Sequence, residues 1–239
     1  MSKNILIVAA DPAISTTTCW PVGFWLSEVT HPIKVFREAG YTHVIASPKG
    51  GKLEMDAMSN PHDESGRSAW DEISKTALED ENFVKQLTNV PSLNDINPDD
   101  FDAIMVAGGQ SPLFTFGEAS LLQEMFTAFY NQGKVASALC HGTAILRYLK
   151  NENGKPFVDG KKVTGFSNGE EDDSDAFAGT KVMPWRIEDE LIKLGAVYSS
   201  VENWKPYAIA DGNLITGQQN MSGEVTAQMI VDYLSKHNS

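Results

Sequence analysis

The chain has 239 residues, 41% hydrophobic and 21% charged, which is ordinary for a globular protein and long enough to bury a full core. A formal net charge of −13 excludes the basic footprint that nucleic acid and anionic membrane surfaces require, so neither is expected as a partner. No apolar run reaches the length of a membrane span, and no basic stretch with a long apolar segment opens the chain. The two cysteines, Cys19 and Cys140, form neither a disulfide framework nor a Cys-x-x-Cys site, so a cytoplasmic protein with free thiols is the expectation.

Apolar residues at 4–10 predict a buried strand, and residues 22–39 a helix closed by Gly40. A second strand at 43–47 ends at Pro48. Residues 49–67, rich in Gly, Met, Asn and Pro, have no clean period and predict a loop excursion or cover at about 49–70. A helix is expected at 73–87, a third strand at 102–107 stopped by Gly108-Gly109, and a helix at 118–131 before Gly133. A strand at 135–139 runs into Cys140, followed by a helix-like segment at 143–150. Next come a strand at 162–166, a helix at 187–194, paired strands at 206–210 and 214–216 around Asp211-Gly212-Asn213, and a last helix at 224–236. This alternation predicts one α/β domain over residues 1–239. Its core is a doubly wound, mostly parallel sheet with helices on both faces.

The stretch Val135-Ala136-Ser137-Ala138-Leu139-Cys140-His141-Gly142 has the layout of a strand-to-helix elbow that exposes a nucleophile. Free N–H groups and the positive dipole end of a following helix would favour a Cys140 thiolate. On a helical wheel of 22–39, Glu28 falls among Phe24, Trp25, Leu26, Val29, Ile33, Val35 and Phe36, with Ser27, His31, Lys34 and Glu38 opposite. A carboxyl on that apolar face loses hydration, so its pKa should rise into the range of a general acid or base. The N–H of Gly109 and that of His141 would together make an oxyanion hole at the carboxyl ends of the strands.

The acidic run Glu170, Glu171, Asp172, Asp173 and Asp175 reads as a solvated loop, one member of which would orient His141. His31, His43, His62 and His237 have no metal-ligand spacing, so no metal is expected. Cys19 reads as an ordinary thiol near the first loop, within reach of the site.

Together these residues resemble the PfpI-like superfamily, whose fold is that of the class I glutamine amidotransferases and is flavodoxin-like. Within it the chain looks like the branch of heat-shock-31-type chaperones and glutathione-independent glyoxalases, also called glyoxalase III or D-lactate dehydratase. The motifs are Gly23-x-x-x-x-Glu28-x-x-His31-Pro32, Ala107-Gly108-Gly109, Ala138-x-Cys140-His141-Gly142 and Val163-Thr164-Gly165-Phe166. Two more are Ile187-Glu188-Asp189-Glu190-Leu191 with Leu194-Gly195-Ala196, and Asp211-Gly212-Asn213-Leu214-Ile215-Thr216-Gly217-Gln218.

The resemblance implies Cys140 as nucleophile, Glu28 as the carboxyl beside it, and His141 backed by Glu171, with Glu170 as the fallback. It also implies a cofactor-free enzyme, a small-molecule substrate and a homodimer. Two departures bear on the substrate. Gln110-Ser111 follows Gly108-Gly109 where the branch has His-Gly, and Trp185-Arg186 follows Pro184 where relatives carry Phe-Leu. If that segment lines the crevice, Gln110, Trp185 and Arg186 contact substrate, and Arg186 receives an anionic group.

The leading expectation is conversion of methylglyoxal to D-lactate through a hemithioacetal on Cys140. Its rivals are amide or peptide hydrolysis through a thioester, and a non-enzymatic role as stress-response holdase or thiol oxidation sensor.

Overall fold

The computed structural model describes residues 2–237. In chain order, β1 (Asn4–Val8) leads through a short hairpin, β2 (Ala13–Ile14) and β3 (Pro21–Val22), into α1 (Ser27–Glu38) and β4 (Thr42–Ala46). An irregular stretch then reaches α2 (Glu72–Glu79) and α3 (Glu81–Thr88). After these come β5 (Ala103–Val106), the single turn α4 (Pro112–Thr115), α5 (Ser120–Asn131) and β6 (Val135–Leu139). Tight 3-10 turns over Cys140–Arg147 precede β7 (Lys162–Val163), α6 (Asn168–Ala178), α7 (Ile187–Lys193) and β8 (Val197–Tyr198). The strands β9 (Ala208–Asp211) and β10 (Leu214–Gly217) lead into the last helix, α8 (Gly223–Lys236).

The main sheet has the order β4-β1-β5-β6-β10-β9. All its pairings are parallel except the hairpin of β9 and β10. Residues Ile7, Met105, Ser137 and Ile215 lie in register across it, all essentially without exposure. Burial on both faces explains why these strands read as unbroken apolar runs rather than alternating ones. Phe126 and Phe129 of α5 and Phe36 of α1 fill the space between helices and sheet. Parallel order brings the carboxyl ends of β5 and β6 side by side, where ligand crevices form in open α/β sheets. Among the described residues no helix is long and apolar enough to cross a membrane.

Several expectations need correction. The first helix begins at Ser27, not Val22, because the preceding backbone is paired elsewhere. Phe24 donates to the Glu54 carbonyl at 3.1 Å and accepts from the Asp56 N–H at 2.8 Å. A Cβ at position 23 would stand 1.7 Å from the Glu54 oxygen, so only glycine fits there.

The helix expected at 73–87 is two helices, broken where Asp80 adopts an extended conformation and caps α3 through the Asn82 N–H. The acidic run is not a solvated loop but α6, started by a reciprocal capping box between Ser167 and Glu170 and closed by Gly179 at φ +68°. The strand expected at 162–166 is only Lys162–Val163, and it pairs with β8 outside the main sheet.

The second face of α1 is covered in its first half, while Lys34 is half-buried and Glu38 exposed. Ser27 and His31 are buried where α2 and α8 pack over it. His31 Nε2 lies 2.8 Å from Asp71 Oδ1, and the same oxygen accepts the Ser74 N–H at 3.0 Å and so caps α2. Replacing Asp71 by Ala removes a helix cap and takes from the buried His31 its Nε2 partner, leaving the ring only Glu224 Oε1 at 3.5 Å. It should cost about 2–3 kcal/mol in urea denaturation, whereas a loss below about 0.5 kcal/mol would show that the cluster contributes little.

Candidate active site

Cys140 follows the last residue of β6 and has φ +54°, a left-handed backbone conformation that costs a non-glycine residue about 1–3 kcal/mol. The Cys140 carbonyl accepts the Thr143 hydroxyl at 2.6 Å, which secures the turn. The following segment winds as 3-10 turns rather than the α-helix the sequence suggests. The elbow rests against the end of β5, with a Cβ on Gly142 placed 2.6 Å from the Val106 oxygen. Across the crevice, a Cβ on Gly108 would come within 2.8 Å of Glu28 Oε2 and of the His141 and Gly142 nitrogens. Three elements therefore meet at a distance that excludes any side chain at 108.

Glu28 is fully buried, as the wheel of α1 implies. Its Oε2 accepts the Gly108 N–H at 2.7 Å, while Oε1 has no hydrogen-bond partner among the described residues. Burial pushes its pKa up to about 8, and interaction with the Cys140 thiol and the Gly108 N–H offsets only part of that rise. The thiolate expected from a helix N-terminus is not what the surroundings favour. Burial pushes the Cys140 thiol up, and the adjacent Glu28 charge adds to this, against a smaller pull from the His141 N–H. Both shifts favour the neutral forms, and two buried acids packed together cannot both ionise readily.

His141 stands on the other side of the thiol, with Nδ1 3.8 Å from Cys140 Sγ and Nε2 2.9 Å from Glu171 Oε1. With Glu171 ionised, Nε2 carries the ring proton and Nδ1 presents its lone pair to the thiol. Phe166 packs on the imidazole at 4.2 Å between ring centroids. Glu170, one residue before Glu171, is turned away about the helix axis and is fully engaged in α6 and its neighbours. It accepts from Ser167 Oγ at 2.8 Å, the Trp204 N–H at 3.0 Å and Gln218 Nε2 at 3.0 Å.

The Gly109 N–H has no partner among the described residues, and Gly109 lines the same cavity as Cys140 and His141. Asp56 holds this loop in place. Its carboxylate accepts the Gly23 N–H at 2.9 Å and the Gln110 N–H at 2.6 Å, and burial pushes its pKa up to about 7. Asp56 was not legible as a site residue, because the segment around it has no periodicity and its partners are backbone atoms.

The cavity at Cys140 has a volume of about 50 Å³ and is walled mainly by apolar groups, among them Met58, Phe166, Val182, Met183 and Trp204. Gln110 lines it, but Trp185 and Arg186 do not. Trp185 lies under the Arg147 guanidinium at 4.4 Å, and Arg186 pairs with Asp172 at 2.5 Å on α6. Arg67, from the irregular stretch, takes a place in the wall instead. Cys19 is exposed in the β2–β3 turn and does not line the cavity. No group of three or more His, Cys, Asp or Glu among the described residues is arranged to hold a metal ion.

The raised pKa of Glu28 has a linkage consequence. A carboxyl whose folded pKa lies above its ordinary 4.5 favours the fold at low pH, and that contribution is lost as pH rises through about 8. The stability of Glu28→Gln relative to wild type should therefore improve by a few kcal/mol between about pH 5 and pH 9 in denaturant titrations, and a constant difference would contradict the shift.

The DJ-1/PfpI family pattern matches residues 19–232. Glyoxalase 3 of Candida albicans is 30% identical over 217 residues, covering 87% of this chain and 88% of that protein. The glutathione-independent glyoxalase HSP31 of Saccharomyces cerevisiae is 31% identical over 228 residues, 89% of each chain. Among solved structures, the Rapid Encystment Protein 24 KDa of Francisella tularensis superposes with a TM-score of 0.87 at 32% identity, covering 97% of this chain and 99% of that one. Glyoxalase III of Candida albicans gives 0.80 at 27% identity, with 97% of each chain covered. A family match over most of the length, relatives at about 30% identity and a shared sheet topology agree with one another: the chain belongs to the DJ-1/PfpI family.

Proposed function

We propose that the protein is a glutathione-independent glyoxalase that converts methylglyoxal and water to D-lactate on Cys140. The observation that carries this reading is the position of one buried thiol between two proton carriers in a cavity of about 50 Å³, room for a few heavy atoms rather than a peptide. The names of the relatives in Candida and Saccharomyces support the same class of reaction.

In the proposed sequence the Cys140 sulfur attacks the aldehyde carbon as its proton passes to His141 Nδ1, 3.8 Å away, and an S–C bond forms. The developing oxyanion is met by the N–H groups of Gly109 and His141 and takes the proton that Glu28 holds. Glu28, now a carboxylate, removes the hydrogen from the former aldehyde carbon and returns it to the neighbouring carbonyl carbon, while the hydroxyl proton passes from the first oxygen to the second and leaves a thioester. His141 is the alternative carrier. Two electrons thereby pass from one carbon to the next inside the substrate, so no external redox partner is needed. Water then cleaves the resulting thioester and releases the hydroxy acid and the thiol.

A thioester-forming amidase is the second reading, favoured by the Cys140–His141–Glu171 series at 3.8 and 2.9 Å. The two separate by mutation. For a glyoxalase, Glu28→Gln should lower kcat about 10²–10⁴-fold and Glu171→Gln by much less, with the order reversed for amide hydrolysis. Assays of both variants on methylglyoxal and an amide panel, with no glutathione present, decide between them. Absence of D-lactate, or undiminished turnover in Cys140→Ser, rules out the first reading.

The pH profile gives a second check. Protonated Glu28 is present below about pH 8 and is lost above it, so kcat should fall as pH rises through that value. A rate that stays level or climbs from about pH 8 to pH 10 would remove Glu28 from the proton-donating role.

A further inference from the structure

Two neighbouring cavities share part of their walls. The inner one holds Cys140, and an outer one of about 250 Å³ is bordered by Ser68, Trp70 and Met221. Arg67 lies in the wall of both, together with Trp25, Trp204 and Asn220. Its guanidinium is stacked, with the central carbon 4.7 Å from the centre of the Phe177 ring and 5.0 Å from that of Trp204. Stacking holds the plane and leaves the N–H edges unused. Among the described residues nothing accepts a hydrogen bond from this guanidinium or pairs with it within 4.0 Å. The acid that acts on it from a distance is Asp173, whose Oδ2 already accepts Asn203 Nδ2 at 2.9 Å and Trp204 Nε1 at 2.8 Å.

A second residue of the inner wall carries an unmatched group. Gln110 is 7% exposed and its Oε1 is buried without a partner, although Asp56 fixes its backbone N–H at 2.6 Å. A methyl group needs neither a free cation nor a free amide. Both fit a substrate whose far end is charged and which also carries a hydroxyl that donates to Gln110 Oε1.

We propose that the natural substrates are small reactive carbonyl compounds bearing an anionic group, carboxylate or phosphate, seated on the Arg67 guanidinium with the carbonyl carbon at Cys140 and a hydroxyl at Gln110. This deepens the glyoxalase reading by naming a substrate class and rests on Cys140 as the nucleophile. The fixed guanidinium fork suits such oxyanions. A net charge of −13 over the whole chain would repel them, so any preference for anions at the thiol must be local.

Alkylation tests this without the glyoxalase assay. Iodoacetate and iodoacetamide both transfer a carbon to a thiolate with loss of iodide and differ in charge. Peptide mass spectrometry reads Cys140 and the exposed Cys19 separately in one sample. The iodoacetate-to-iodoacetamide rate ratio should be about tenfold higher at Cys140 than at Cys19, the size of one charge-assisted contact. It should fall to the Cys19 value in Arg67→Gln and be partly kept in Arg67→Lys. Dividing the two rates cancels changes in the reactivity of the thiol itself. Inorganic phosphate and acetate, added as competitors, should slow alkylation of Cys140 in the wild type, and the stronger of the two identifies the preferred anion. Equal ratios at the two cysteines, or a Cys140 ratio untouched by Arg67→Gln, overturns the proposal. A preserved Arg67-dependent ratio in a protein that makes no D-lactate from methylglyoxal supports the anion site and refutes the glyoxalase reading instead.

Discussion

The contact on which the rest of the site depends is the burial of the Glu28 carboxyl against the Cys140 thiol, with the Gly108 N–H closing on its other oxygen at 2.7 Å. Removing a carboxyl from water is costly unless it is neutral or well paired, and here one oxygen has no hydrogen-bond partner among the described residues. The surrounding backbone is built to permit that approach. Position 108 admits no side chain, Gly142 lies against the end of β5, and Cys140 accepts a left-handed conformation to turn its sulfur inward. Each of these local costs is offset by a sheet and helices whose core is packed around them.

Because the thiol and the carboxyl compete for the same proton, their titration belongs to the pair. An electrostatic account resting only on the N-terminal dipole of the following segment misses this, since burial and the neighbouring acid act more strongly and in the opposite direction. The proton held on Glu28 is the one the developing oxyanion would take, which links the ionic state of the resting protein to the chemistry proposed for it. Glu171 works at one remove, through His141, and its neighbour Glu170 serves the start of α6.

The stretch between β4 and α2 contributes more than cover. Asp56 ties Gly23 to Gln110 and so sets the loop that carries the Gly109 N–H, Met58 closes the cavity wall, and Arg67 lines both the inner and the outer cavity. None of this is periodic. The partners of Asp56 are backbone N–H groups far along the chain, and Arg67 is held by rings contributed by α6 and by the loop after β8. The sequence drew attention to Arg186 as the cation near substrate, yet Arg186 is spent on Asp172, and the unpaired guanidinium in the cavity wall is that of Arg67.

Hydrophobic runs and their spacing by themselves determined the parallel sheet, the elbow at Cys140 and the apolar placement of Glu28. Those depend on neighbours within a few residues and on the rule that strands buried on both faces are apolar throughout. The capping pattern Ser167-x-x-Glu170 was also present in the chain and would have made a helix of the acidic run. Only the tertiary structure decided which glutamate reaches His141, which arginine faces the cavity, that α1 starts at Ser27, and that the thiol is held neutral. Each of those is set by atoms distant in sequence and brought together by packing. Such contacts leave no local period to read, and a pKa is fixed by the burial that packing creates.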